Sequence, residues 1–137
     1  MSDALSLQPD RPRVLLVDDD QAILLSHSMI LEGAGYDVTK AETAAQACEL
    51  LNEDRFDLLI CDLSLEEGKN GLDVIDSAVE QHRKMPVLLL TGYSDTKLPP
   101  RLARYNIQVV AKPANIPELL AKIRLLLSAR LGSQAAD

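Results

Sequence analysis

Residues 14–21 read VLLVDDDQ: four apolar residues run directly into three consecutive aspartates. The apolar half has the composition of a strand buried on both faces. The acidic half is a costly way to leave such a strand, because adjacent like charges repel, unless something cationic binds there. Short apolar runs recur along the chain. RVLLV (13–17), YDVTK (36–40), DLLIC (57–61), PVLLL (86–90) and IQVVA (107–111) all have strand length and strand character. Helical patterns alternate with them at about 20–34, 43–53, 71–83 and 115–131.

In the first helical stretch Ile23, His27, Ile30, Leu31 and Ala34 recur at helical spacing, and Gly33 and Gly35 end it. Asp20 is placed to cap that helix, Thr43 the second, and Asn115, just ahead of Pro117, the last. The last helix carries Leu119, Leu120, Ile123, Leu126 and Leu127 on one side. A further helix between TGYSD (91–95) and IQVVA should be stunted, because Pro99 and Pro100 fit only in a first turn. Residues 1–12 read as a loose arm and 132–137 as a frayed tail, which leaves one domain over 13–131. Strand–helix alternation of this kind predicts an α/β fold: a doubly wound, five-stranded parallel sheet of order 2-1-3-4-5 with right-handed crossovers. Its ligand crevice lies where the carboxyl ends of strands one and three meet.

Composition narrows the function classes. The 137 residues, 47% of them hydrophobic, suit one globular core and not two. No apolar run reaches membrane-spanning length and no basic-then-apolar leader opens the chain, so a cytoplasmic setting without a membrane partner is expected. A net charge of −7 disfavours nucleic acid as a direct partner. Cys48 and Cys61 form no metal-ligand pattern and read as reduced core thiols. His27 reads as a core or boundary residue, and His82, beside Arg83 and Lys84, as part of a helix end. Gly68 and Gly71 do not make a phosphate-cradling loop, because no strand–GxxxxGK–helix segment surrounds them.

In a parallel sheet the carboxyl ends of all strands share one edge. Asp18 and Asp19 follow strand one, Asp62 strand three, Thr91 strand four and Lys112 strand five. Any one of these alone is an ordinary turn or capping residue; together they converge from distant points in sequence. Three carboxylates against one ammonium leave a negative surplus that suits a hard divalent cation, and magnesium prefers oxygen ligands. A carboxylate nucleophile, a metal, a lysine and a hydroxyl around one point meet the needs of phosphoryl transfer to an aspartate.

With LLVDDD (15–20), DLLICDLSL (57–65), LLLTGYSD (88–95) and VVAKP (109–113) in this order and spacing, the chain resembles the receiver domain of two-component response regulators over about residues 13–130. The resemblance implies the flavodoxin-like fold and assigns roles. Asp62 would be the phosphoacceptor, carried as 4-aspartylphosphate after transfer from a sensor histidine kinase or a histidine phosphotransfer protein. Asp19, Asp62 and the Ser64 backbone carbonyl would ligate Mg2+ (or Mn2+), with Asp18 acting mainly through a bound water. Thr91 would hydrogen-bond the phosphoryl group and Lys112 would pair with it. The chain would then be a phosphoacceptor module and not an enzyme acting on other substrates. It would be a single-domain response regulator without DNA-binding output, signalling through a downstream protein target.

Departures from the family pattern carry their own expectations. Glu66 stands where the family commonly has proline four residues after the acceptor. Gly71 lies nine residues on rather than eight, so the loop is one residue longer. Val109 and Ala114 replace common aromatics, which argues against readout through a swinging ring. By the resemblance, Ser64 and Tyr93 would flank the water's approach to the acyl phosphate, which implies a comparatively long-lived phosphoprotein. A haloacid dehalogenase-type hydrolase is the enzymatic alternative, but it needs a later acidic cluster, and beyond Lys112 only Glu118 and Asp137 remain. A receiver-like interaction module without chemistry is the other alternative, and the complete residue set argues against it.

Overall fold

The computed structural model describes residues 11–63, 71–81, 84–92, 99–112 and 115–136. Five strands, β1 (Arg13–Val17), β2 (Asp37–Ala41), β3 (Leu58–Asp62), β4 (Val87–Thr91) and β5 (Ile107–Ala111), form one parallel sheet of order β2-β1-β3-β4-β5. Four α-helices connect or follow them: α1 (Gln21–Gly33), α2 (Ala44–Glu53), α3 (Gly71–Gln81) and α4 (Ile116–Ala136). Between β4 and β5 the described residues hold only a 3₁₀ turn, Pro100–Leu102, whose first residue is one of the two prolines that curtail the helix. The expected doubly wound α/β fold is the observed one.

Alternation along the central strands builds the two core layers. Val14 and Leu16, Leu58 and Ile60, and Leu88 and Leu90 pack with Leu24 and Leu31 of α1 and with Leu119, Ile123, Leu126 and Leu127 of α4. Leu15 and Val17, Leu59 and Cys61, and Val87 and Leu89 pack on the other face with α2 and α3. Every residue of β3 and β4 is buried, as an internal parallel strand requires. β2 and β5 are sheet edges and remain partly exposed, so near-continuous burial holds only for the inner three strands.

The helix starts follow from their caps. The Asp20 carboxylate accepts from the Ala22 and Ile23 N–H groups at 2.9 and 3.2 Å. Thr43 Oγ1 accepts from Gln46 N–H at 3.0 Å while Gln46 Oε1 reaches back to Glu42 N–H. Asn115 Oδ1 accepts from Glu118 N–H. At the end of α1 the Tyr36 N–H donates to Leu31 O and the Gly35 N–H to Glu32 O, both at 3.1 Å. This Schellman closure needs a left-handed residue, and Gly35 supplies it with φ of 104°.

Four sequence expectations are corrected. β2, β3 and β4 each lie one residue further on than their apolar runs. Tyr36 N–H is already taken by the helix cap, and the ladder continues through Asp62↔Leu90 and Thr91↔Ala111, since backbone pairing is indifferent to side-chain polarity. Asp62 and Thr91 are therefore the last residues of their strands and do not follow them. In α1 the buried residues are Leu24, Ser28 and Leu31, so of the stripe Ile23, His27, Ile30, Leu31 and Ala34 only Leu31 is buried. Ser28 tolerates burial by donating to Leu25 O at 2.9 Å. α4 runs on through Ala136 in place of a tail from Gly132, because no proline intervenes and one glycine costs a helix only about 1 kcal/mol. The readings placed on residues 1–10, Ser64, Glu66, Gly68, His82, Arg83, Tyr93, Pro113, Ala114 and Asp137 lie outside the described residues.

Candidate functional site

The sheet register brings the polar residues level. Val17 pairs with Cys61, so Asp18 leaves β1 beside Asp62, the last residue of β3. Thr91 pairs with Ala111, the last residue of β5, which puts Lys112 just past the end of that strand. Backbone bonds fix these ends: Asp18 N–H donates to Ala41 O, Leu63 N–H to Leu90 O and Lys112 N–H to Thr91 O, at 3.1, 2.8 and 2.7 Å.

The side chains then converge. One carboxylate oxygen from each of Asp18, Asp19 and Asp62 lies within 4.8 Å of the others. Asp18 and Asp62 are only 2% and 3% exposed, and Thr91 is 1% exposed. Lys112 Nζ donates to Asp62 Oδ2 at 2.9 Å. Asp18 Oδ1 accepts from Asp20 N–H at 2.9 Å, so the third aspartate serves both as helix cap and as backbone donor to the first. All five sequence candidates that fall among the described residues, Asp18, Asp19, Asp62, Thr91 and Lys112, thus meet on one edge.

Burial pushes the Asp18 carboxyl above its ordinary range. The hydrogen bond from Asp20 opposes that rise, Asp62 adds to it and Lys112 works against it. At Lys112 burial pulls the ammonium down, but the hydrogen bond and attraction to Asp62, with further attraction from Asp18 and Asp19, win and raise it. The lysine therefore stays charged. His27 is half-buried, as expected of a boundary residue; burial, then the Lys112 charge, lower its affinity for a proton. Cys48 and Cys61 are free thiols, and burial holds Cys61 fully protonated, its Sγ–H donating to Asp62 O at 3.4 Å.

The donor set fits a hard divalent cation. It is all oxygen, it is acidic beyond what Lys112, its one cation among the described residues, neutralises, and Asp18 and Asp62 are held by backbone bonds at strand ends. One contact of the site was not read from sequence: Gly71, named only as the family-pattern glycine displaced by one residue, is the first residue of α3 and packs against the Asp62 backbone carbonyl.

Comparison with known proteins bears on this arrangement. The family model of the response regulator receiver domain matches residues 14–124. The chain is 31% identical over 118 residues to the response regulator receiver protein CpdR of Brucella abortus, covering 85% of this chain and 98% of that one. It is 45% identical over 89 residues to the alginate biosynthesis transcriptional regulatory protein AlgB of Pseudomonas putida, covering 65% of this chain but only 20% of that protein. The CheY-like response regulator receiver domain protein of Methanospirillum hungatei superposes with a TM-score of 0.82 at 30% identity, over 90% of this chain and 99% of that one. The fold, its strand order and these relatives agree: the chain belongs to the response regulator receiver domain family.

Proposed function

We propose that Asp62 is the phosphoacceptor of this receiver and that a sensor histidine kinase or a histidine phosphotransfer protein is its donor. The observation that carries this is the position of Asp62: it is buried, its Oδ2 is held by Lys112, and it shares a 4.8 Å cluster with Asp18 and Asp19. In the transfer, an Asp62 carboxylate oxygen attacks phosphorus, the phosphorus–nitrogen bond to the donor imidazole breaks, and an acyl phosphate remains. The Lys112 ammonium holds the acceptor in place and offsets charge on the incoming oxygens. The Thr91 hydroxyl stands one strand away to hydrogen-bond the phosphoryl group. Asp18, Asp19 and Asp62, with the Ser64 carbonyl, would hold Mg2+ or Mn2+, whose charge lets an anionic donor approach an acidic cluster.

The receiver unit is taken as residues 13–131, with 1–12 ahead of it and its last helix running on through Ala136. A downstream protein target is part of this reading; the response regulator receiver protein CpdR is matched over 98% of its length. AlgB, named as a transcriptional regulator, is matched over only a fifth of its length. The net charge of −7 favours a protein target over nucleic acid. No helix among the described residues is long and apolar enough to cross a membrane, which accords with a cytoplasmic site of action.

Incubation with acetyl phosphate and Mg2+ should add one phosphoryl group by intact mass. A chelator should prevent the addition, and hydrolysis of a generic phosphate ester should not occur. Full labelling in the chelator would overturn the metal reading, and steady ester turnover would replace the acceptor with a hydrolase.

A further inference from the structure

We infer that Gly71 is a positioning residue for Asp62: its missing side chain lets the first turn of α3 close on the backbone of residues 62–63 and hold the acceptor carboxylate in the acidic cluster. The inference rests on the reading of Asp62 as phosphoacceptor. A Cβ at Gly71 would stand 2.5 Å from Asp62 O, 3.0 Å from Leu63 Cα and 3.2 Å from the Asp62 carbonyl carbon. All three are backbone atoms of residues already pinned elsewhere, since Leu63 N–H donates to Leu90 O and Asp62 pairs with Leu90 in the ladder. No side-chain rotation relieves such a clash. Gly71 is also buried, and its own N–H donates to Leu63 O at 2.7 Å, so the helix start is bonded to the segment that it touches.

Space is the reason for glycine here. Gly35 is required by its left-handed backbone, but Gly71 is not in that region of φ. Ordinary carbon contacts lie at about 3.5–4.0 Å, so a methyl group would push α3 and the 62–63 backbone apart by an appreciable fraction of an ångström. Displacement of that size at a reacting carboxylate slows chemistry by about tenfold or more, and loosening a ligand's support weakens metal binding by a comparable factor. The one-residue-longer loop thus ends with glycine at the point where α3 meets the acceptor.

The test compares wild type, Gly71→Ala and Gly33→Ala, the last being a helical glycine with open space around its Cβ position. Mg2+ affinity is read from amide chemical shifts, and labelling by acetyl phosphate at saturating Mg2+ is read per folded molecule. For Gly71→Ala we expect Mg2+ affinity and labelling rate each to fall roughly tenfold, with both unchanged in Gly33→Ala. A folded Gly71→Ala with wild-type affinity and rate overturns the inference, while failure of wild type to label overturns the phosphoacceptor reading instead. Should Gly71→Ala not fold, the wild-type Gly71 amide decides. Strong exchange protection, with a larger Mg2+-induced shift than amides one turn further along α3, supports positioning, and a fast-exchanging amide indifferent to Mg2+ refutes it.

Discussion

Asp18 and Asp62 are buried side by side, and among the described residues their charge is offset, in the absence of metal, by one partly exposed lysine. This balance predicts opposite effects from two neutralising changes. Asp18→Asn keeps an oxygen for the Asp20 N–H and removes one like charge, so without metal it should raise unfolding stability by about 1 kcal/mol. Lys112→Gln strips the cluster of its only cation among the described residues and should lower metal-free stability by about 1 kcal/mol, a value reduced for the lysine's exposure. Chemical denaturation in a chelator checks both; shifts of the same sign would show that repulsion does not govern the cluster. The five clustered residues were legible in the sequence because parallel topology turns strand ends into neighbours. Gly71 was visible only as a glycine of the family pattern, and its contact was not, since the constraint is a backbone atom of Asp62 that no local pattern encodes.

At the scale of elements, caps and closures explain where the chain turns. Gly35→Ala forces a side chain into left-handed backbone and should cost about 1–2 kcal/mol, whereas Gly33→Ala meets open space and should be neutral or slightly stabilising. Equal losses from both would contradict the assigned closure of α1. β1 is tied at its start to the α2–β3 connection: Arg13 donates through Nη1 and Nη2 to Asp54 at 2.7 and 2.8 Å, and its guanidinium lies over Phe56 at 5.1 Å. The hydrogen bonds from Arg13, then that from Arg55 N–H, hold the Asp54 carboxyl well below the usual carboxylate range. Its contribution to stability is therefore present above the ordinary carboxylate value and is lost as pH falls through the depressed one. The stability difference between wild type and Asp54→Asn should be constant near neutrality and shrink in acid; a gap that widens in acid would be the contrary result. Helix faces were less legible than caps. Residues 22–25 and 29–31 of α1 surround the helix with apolar groups, so periodicity alone did not select the buried face at Leu24, Ser28 and Leu31.

Across the whole molecule, phosphorylation at one sheet edge has to be read elsewhere. Val109, half-buried against the α2–α3 side of the core, offers no ring to swing, and the β4–β5 connection is anchored by buried Leu102. Arg101 adds a bidentate pair to Asp76 of α3, with Nε–Oδ1 and Nη2–Oδ2 distances of 3.2 and 2.8 Å. The response to a phosphoryl mimic is expected in amide exchange across 99–112, with little change in α1; the reverse pattern would refute this route. Arg101→Ala should loosen 99–105 without slowing acceptor labelling. The central claim concerns which carboxylate carries the phosphoryl group, and borohydride reads that directly by reducing an acyl phosphate to the alcohol. After labelling, reduction and proteolysis, peptide mass spectrometry should find homoserine at position 62 and aspartate at 18 and 19. Homoserine at 18 or 19, or anywhere else with Asp62 intact, would contradict the account.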